Sequence, residues 1–155
     1  MARCAQRLSI RLTGPPEHPF RSVEALRTLY LFRREPAALR LAVGLSDACW
    51  GQGRRLTHVD VLRDVVDRAG LDATQLAERM ASVGVKNGLR ALTDEAVGLG
   101  VFGVPTFVVD GELFWGHDRL EHLAERLGGT APPAADRVRD LVDRPRGADR
   151  KRPVE

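Results

Sequence analysis

Cysteine is scarce in this chain of 155 residues, and its two copies, Cys4 and Cys49, are far apart in the sequence. A disulfide framework needs several regularly spaced cysteines, and a dithiol redox centre needs a C-x-x-C motif; the chain has neither. We therefore expect both thiols to be reduced, as is typical of a cytoplasmic protein. Because Cys49 stands at core spacing beside Leu45 and Ala48, we interpret it as a buried structural thiol rather than a nucleophile.

Long hydrophobic runs are also missing. No stretch approaches the roughly 20 apolar residues that cross a bilayer. The N-terminus, MARCAQRLSIRL, lacks the apolar region of a secretory leader. The sequence thus predicts a cytoplasmic location without a membrane partner.

The chain has little excess charge of one sign, since its formal net charge is only +3. Between Gly129 and Glu155, seven basic residues are mixed with five acidic ones, so this segment carries two of the three charges. We predict that residues 129–155 form a disordered, charged tail. Aromatic residues make up 5% of the chain and do not interleave with a basic stripe, which argues against a nucleic-acid partner.

Metal-ligand spacing is not found among the four histidines. His117 and His122 are five residues apart and do not share the i, i+4 face of a helical metal site. His18 and His58 fall in predicted loop or cap positions. We therefore predict no metal site.

The most informative stretch that is present runs from Gly100 to Leu127. Thr106–Val109 is β-branched and aromatic, Asp110-Gly111 is a strong hairpin signal, and Glu112–Trp115 supplies the partner strand. Phe114 and Trp115 alternate, so one is expected in the core while the other could wall a pocket. Leu120, Leu123, Ala124 and Leu127 then recur at helical spacing.

Upstream of that stretch, the apolar pattern predicts one strand and five helices. Leu8–Leu12 alternates apolar and polar residues, as a strand does. The helices are predicted after an N-cap at Ser22, over Ala37–Trp50, from Thr57 to Ala69, from Asp72 to Val83, and from Val85 to Leu99. The expected inward residues are Val23, Leu26 and Tyr30 on the first helix, Leu41, Leu45, Ala48, Cys49, Leu62, Val65, Val66, Ala69, Leu76, Met80 and Val83 on the next three, and Val85, Leu89, Leu92, Ala96 and Leu99 on the last. The order of elements indicates an α/β or α+β class.

Gly103-Val104-Pro105-Thr106 before a hairpin and helix resembles the cis-proline segment of the thioredoxin fold. The run from Thr93 through Phe107 to Leu120 is similar to 2-hydroxychromene-2-carboxylate isomerases and kappa-class glutathione transferases, within the DsbA-type group. The resemblance covers about Leu8 to Leu127. It implies a thioredoxin-like domain over 1–128 with a helical insertion over about 22–99, N-terminally truncated because the family's first strand and helix have no counterpart here.

That resemblance also implies a function. The isomerases that the chain resembles act on a small aromatic substrate by reversible addition of glutathione. The resemblance therefore implies that glutathione is the cofactor. If the matching motif positions have the same roles here, Val104 and Pro105 bind the cysteinyl part of glutathione. His117 and Asp118 then bind its γ-glutamyl part. The family's catalytic serine lies in the first strand–helix turn, so no catalytic residue is assigned in this chain. A homodimer is compatible with this assignment.

Several alternatives remain open from the residues. Asp118 could simply cap the last helix. Arg54 and Arg55 could attract an anion or form a solvated pair. The chain could be a non-catalytic glutathione-binding or interaction remnant, or, by fold alone, a DsbA-like disulfide oxidoreductase. Without the family's first strand, Thr106–Val109 would expose a hydrophobic edge, which we expect to be covered by Leu8–Leu12 or by a second chain.

Overall fold

The computed structural model describes residues 2–129 of the chain. These residues belong to two compact units that divide between Asp94 and Glu95. The elements in chain order are α1 (Ala2–Arg7), α2 (Val23–Phe32), α3 (Ala38–Ser46) with a π-helical turn (Asp47–Gly51), α4 (Val59–Arg68), α5 (Leu76–Ala81), α6 (Val83–Gly98), β1 (Thr106–Val109), β2 (Glu112–Trp115), a 3₁₀ turn (His117–Arg119) and α7 (Leu120–Leu127). The predicted tail lies, from Thr130 onward, outside the described residues.

The core of the first unit is built by α2, α3, α4 and α5, which pack against one another. Leu41, Leu62 and Leu76 are fully buried at its centre. The other predicted core residues of α3, α4 and α5, apart from Val83, are buried as well. Helical periodicity therefore located the apolar stripes of these three helices correctly. It was wrong at Leu26 of α2 and Leu92 of α6, which are exposed, while α2 buries Ala25, Thr28 and Phe32 instead.

Thr28 is a polar residue in the middle of this core. Its hydroxyl is completely buried, donates to the Glu24 carbonyl oxygen at 2.9 Å, and lies 2.9 Å from the Met80 sulfur. A buried hydroxyl without a partner would be costly, and the helix carbonyl one turn earlier satisfies it. The contact between the Thr28 hydroxyl and the Met80 sulfur joins α2 to α5.

The predicted strand at Leu8–Leu12 is wrong. The chain starts with the short helix α1, and residues 8–12 follow as irregular backbone, with Ile10 59% exposed. The N–H groups of Thr13 and Gly14 donate to the Trp50 carbonyl, at 2.7 and 2.8 Å, rather than to a strand. Alternating residues form a strand only where a neighbouring strand accepts their hydrogen bonds, and none does so in the part of the chain that is described.

Two helix boundaries differ from the prediction, and a third is at the predicted residue but without the expected cap. The helix over Ala37–Trp50 is α-helical only to Ser46 and continues as the π-helical turn. Val83 does not pack with Met80 but begins α6 and is exposed. Ser22 stands at the N-cap position of α2, although its side chain makes no capping hydrogen bond. Local signals fix helix ends less well than helix interiors.

The second unit contains the predicted hairpin and closing helix. Strands β1 and β2 pair antiparallel, with Phe107 opposite Phe114. Asp110 and Gly111 have φ values of 49° and 82°, the two positive angles that a tight two-residue turn requires. Of the predicted apolar stripe on α7, Leu123 is buried while Leu120 and Leu127 are exposed.

The outer edge of β1 is not paired with another strand in the described range 2–129, where the sheet has two strands. The expectation that Leu8–Leu12 would cover this edge is therefore wrong for the single chain. Whether a second chain covers it stays a prediction.

Both cysteines are free thiols. Cys49 is buried in the core, as predicted, and burial raises the pKa of its thiol because it disfavours the thiolate. No helix within residues 2–129 combines the length and the apolar character needed to cross a membrane.

Candidate functional site

The second unit contains a cavity of about 320 Å³ beside the proline loop. Its lining includes all four residues that the motif singled out, Val104, Pro105, His117 and Asp118. Trp115, Gly116 and Arg119 complete the lining. The fold thus brings together two short segments that are separated by the hairpin.

The loop that forms one wall of this cavity is held by its flanking residues. The Val104–Pro105 peptide bond is cis. The Thr106 hydroxyl donates to the Gly103 carbonyl at 2.6 Å, and the Gly116 N–H donates to the Pro105 carbonyl at 2.9 Å. The second of these bonds joins Pro105 to Gly116, where the turn that forms the opposite wall of the cavity begins.

Val104 projects from this loop into solvent and is 87% exposed. Within residues 2–129, neither its N–H nor its C=O makes a backbone hydrogen bond. Exposed and unused backbone groups of this kind can pair with an extended peptide-like ligand. Val104 therefore offers a donor and an acceptor at the cavity.

The opposite wall is the turn that follows β2. Gly116 has a φ of 101°, and a Cβ at this position would overlap the Asp118 Oδ1. The positive φ at Gly116 strains any other residue, and a Cβ there would also require the Asp118 carboxylate to move. The Asp118 carboxylate points back over the turn, where it lines the cavity.

The charges at this wall are exposed and of both signs. Asp118 Oδ2 lies 3.7 Å from Arg119 Nε. Gly116, the N-cap residue of the 3₁₀ turn, has no side chain that could cap it. Arg119, the N-cap residue of α7, makes no side-chain capping hydrogen bond. Capping by Asp118, the simpler interpretation of this residue, has no hydrogen bond to support it among the described residues. A carboxylate and two basic side chains can instead bind a zwitterionic group.

The apolar wall of the cavity is Trp115. Its partner on the alternating strand, Phe114, is buried in the core, as the alternation predicted. The Trp115 ring lies 4.8 Å, between centroids, from the ring of Phe102, and both side chains are largely exposed. The alternation left open which of Phe114 and Trp115 would wall a pocket, and the structure places Trp115 there. Arg119 and Phe102 were not singled out, since nothing in their local sequence marks them.

Other residues considered from the sequence lie elsewhere. His122 is next to Glu125, with 3.8 Å between Nδ1 and Oε2. Within the described range, no three histidine, cysteine or acidic side chains are grouped as metal ligands would be. Arg54 and Arg55 each form an ion pair, with Asp64 and Glu17 respectively.

Residues 1–128 match the family model of the DSBA-like thioredoxin domain. Because the match extends over most of the chain, the protein belongs to the DSBA-like thioredoxin family. The resemblance predicted from the proline loop and its flanking residues is thereby confirmed.

Within that family, the chain is similar to two groups of enzymes. It is 37% identical over 78 residues to a 2-hydroxychromene-2-carboxylate isomerase of Sphingobium xenophagum, which covers 50% of this chain and 40% of that protein. It is 36% identical over 98 residues to human glutathione S-transferase kappa 1, covering 56% and 43% respectively. A longer match, 26% identical over 136 residues, is to a Pseudomonas putida isomerase and covers 88% of this chain and 66% of the relative. The chain thus spans less than half of the length of the first two relatives.

A solved structure of a 2-hydroxychromene-2-carboxylate isomerase superposes with a TM-score of 0.68. The match covers 90% of this chain and 66% of that one, at 24% identity. At this identity the likeness establishes the fold. The DsbA-like thioredoxin fold predicted from the sequence is confirmed, with a large helical unit and a small two-stranded sheet among the described residues.

Proposed function

We propose that this chain is the ligand-binding part of a glutathione-dependent isomerase that resembles 2-hydroxychromene-2-carboxylate isomerase. The observation that carries the proposal is that one cavity is lined by Val104, Pro105, His117 and Asp118. The similarity to isomerases and to a kappa-class transferase supports it at the level of the family.

The chemistry of the cavity fits two of the three residues of glutathione, the central cysteinyl residue and the γ-glutamyl residue. The cysteinyl backbone would pair with the unused N–H and C=O of Val104 as a short added strand. The γ-glutamyl group carries an ammonium and a carboxylate on one carbon. Asp118 would hold the ammonium, and the turn at His117, with its basic side chains, would hold the carboxylate.

When bound, glutathione would supply a thiol that adds reversibly to the conjugated double bond of an aromatic pyruvate. The chain's own residues would fix the ligand's backbone and head group and so set the position of the sulfur. By resemblance, the serine that contacts the sulfur belongs to a strand–helix turn for which this sequence has no counterpart. A small aromatic substrate, a cytoplasmic location and a homodimer belong to the same proposal.

Titration calorimetry with glutathione tests the binding step. We expect saturable binding that is tighter than millimolar and that Asp118→Asn weakens about tenfold, as loss of one charged hydrogen bond predicts. The matched control is Asp67→Asn, an exposed aspartate on α4, which should leave the affinity unchanged. Equal affinities for the wild type and the Asp118 variant would contradict the assignment. An isomerase assay on the purified chain then tests catalysis separately.

A second candidate is a non-catalytic remnant that retains the fold and part of the cleft. The uncovered edge of β1 and the exposed leucines of α7 favour it, because apolar surface of this kind is normally covered by another element. Millimolar or undetectable glutathione binding would favour the remnant. A DsbA-like oxidoreductase ranks last, because the chain has no C-x-x-C and the raised pKa of Cys49 suppresses its thiolate.

A further inference from the structure

The helical unit contains a separate cavity of about 160 Å³ that the proposed function does not use. Three arginines from three segments line it: Arg40 of α3, Arg54 before α4, and Arg68 of α4. Gly44, Val65 and Ala69 contribute its small and apolar side. We call this site the arginine cavity.

Arg40 is fixed in the arginine cavity by the end of α4. Its Nε and Nη2 both donate to the Ala69 carbonyl oxygen, at 3.0 and 2.8 Å. This pairing satisfies a carbonyl at the negative end of the helix. It uses one edge of the guanidinium and leaves Nη1 without a hydrogen bond to any other described residue.

Arg54 and Arg68 are oriented by one shared carboxylate. Arg54 Nη1 donates to Asp64 Oδ2 at 2.5 Å, and Arg68 Nε donates to Asp64 Oδ1 at 2.8 Å. The two arginines hold the pKa of the Asp64 carboxyl below its usual range, mainly through these hydrogen bonds. Asp64 therefore stays ionised at neutral pH and keeps both guanidinium groups in place.

Several donors of the arginine cavity remain available. A guanidinium carries five N–H donors, and the bonds above use only a minority of them. Nη2 of Arg54 and both Nη atoms of Arg68 bond to no other residue in the described range, and neither side chain is fully buried. They can therefore donate to a ligand that enters from solvent.

The balance of charge at the arginine cavity is positive. Asp47 is the one carboxylate among the residues given for its lining, and it accepts a hydrogen bond from Gln52 at 2.6 Å, whereas Asp64 lies behind Arg54 and Arg68 as their ion-pair partner. Three arginines thus face two aspartates, and each of these aspartates already has a partner. The three arginines line one small cavity, and their charges exceed those of the two aspartates by one.

We propose that the arginine cavity binds a phosphate group. Arginine donors from several directions suit a tetrahedral oxyanion with several acceptor oxygens. The fit rests on the unused donors, the excess charge and a cavity volume large enough for a small anion. This site is independent of the proposed glutathione function, since none of its residues lines the cavity beside Pro105.

Inorganic phosphate is the probe, added to the ¹⁵N-labelled full chain at constant ionic strength maintained with sodium chloride. We expect saturable shifts of the arginine Nε–H resonances of Arg54 and Arg68 and a rise in the thermal midpoint. Arg68→Gln removes an exposed side chain and should leave the fold intact. It should raise the apparent Kd for phosphate about tenfold, the effect of losing a charged hydrogen bond.

Arg63→Gln is the matched control, because Arg63 is also an exposed arginine on α4 but pairs with Asp60 and does not line the cavity. It should leave the Kd unchanged. A phosphate monoester in place of phosphate distinguishes the source: tighter binding indicates a phosphorylated small molecule, and equal binding indicates the free ion. The proposal is overturned if chloride alone reproduces the shifts, or if Arg68→Gln and Arg54→Gln both bind phosphate like the wild type.

Discussion

Trp115 lies directly over Gly103, so that a Cβ placed on Gly103 would be only 2.5 Å from the indole Nε1. Gly103 therefore helps to shape the cavity, because its lack of a side chain allows the Trp115 indole to lie against the backbone. This contact joins the aromatic wall to the loop that carries Val104 and Pro105.

Replacing Gly103 by alanine should displace the Trp115 ring. The overlap cannot be relieved by a flexible side-chain end, because the contacting atom belongs to a rigid ring, and overpacking of this kind costs about 1–3 kcal/mol. Tryptophan fluorescence in a Trp50→Phe background reports on Trp115 alone, since the chain has two tryptophans. We expect a shifted emission maximum and a lower free energy of unfolding.

Gly84→Ala is the control for this change. A Cβ at Gly84, in the first turn of α6, would meet nothing within 4 Å. Because alanine is the better helix former, this substitution should be neutral or stabilise by up to about 1 kcal/mol. An unchanged Trp115 emission in Gly103→Ala would show that the indole does not occupy this position.

Leu62→Ala should strongly destabilise the helical unit. Leu62 is completely buried in α4, and truncation of such a leucine costs about 2–5 kcal/mol through lost burial and the cavity left behind. Leu39→Ala, at an exposed position on α3, should change the free energy of unfolding by less than about 0.5 kcal/mol. Urea denaturation measures both, and similar midpoints would contradict the assigned core.

Thr28→Val should cost about 1 kcal/mol although it preserves side-chain volume. The variant loses the hydroxyl that donates to the Glu24 carbonyl inside the core. Thr93→Val is a close control, because the Thr93 hydroxyl makes the same bond, to the Leu89 carbonyl at 3.0 Å, on an exposed helix surface. Chemical denaturation should separate the two variants, with Thr93→Val near the wild type. If both variants lose the same free energy of unfolding, burial of the Thr28 hydroxyl is not the reason for the destabilisation.

The pairing of Asp64 should appear in its titration. Arg54, followed by Arg68, lowers the pKa of the Asp64 carboxyl below that of an unfolded chain. A group with a lowered folded-state pKa contributes stability above its unfolded pKa and loses it as the pH falls through the folded pKa. Asp64→Asn should therefore be less stable than the wild type at neutral pH, and the difference should vanish in acid.

Carboxyl carbon NMR measures this pKa directly. Arg54→Gln and Arg68→Gln should each raise it toward the ordinary aspartate range, and Arg63→Gln should not. A normal pKa in the wild type would mean that the two ion pairs are not formed in solution.

Local sequence was sufficient to predict the elements that depend on neighbouring residues. The five helices of the region 22–99 and the Asp110-Gly111 hairpin are all found. Helical spacing of apolar residues and a turn that needs positive φ angles are properties of a few adjacent positions, so they can be identified without a tertiary structure.

Predictions that required a partner in space were less successful. Leu8–Leu12 has the alternation of a strand, but no other strand in the described part of the chain completes its hydrogen bonds. Val83 has helical spacing but belongs to the next helix. The motif identified four residues of the cavity at the proline loop. It did not single out Arg119 or Phe102, whose roles depend on where the turn and the loop come together.

By itself, the sequence determined the family, the buried stripes of α3, α4 and α5, the hairpin and the four motif residues, because each depends on short-range periodicity or on short motifs within one stretch of the chain. Only the tertiary structure decided that residues 8–12 pair with no strand of the described range 2–129 and that Trp115 packs on Gly103. It also brought Arg40, Arg54 and Arg68 to a common cavity. Contacts between residues so far apart along the chain have no local signature, since they arise from the packing of whole helices against one another.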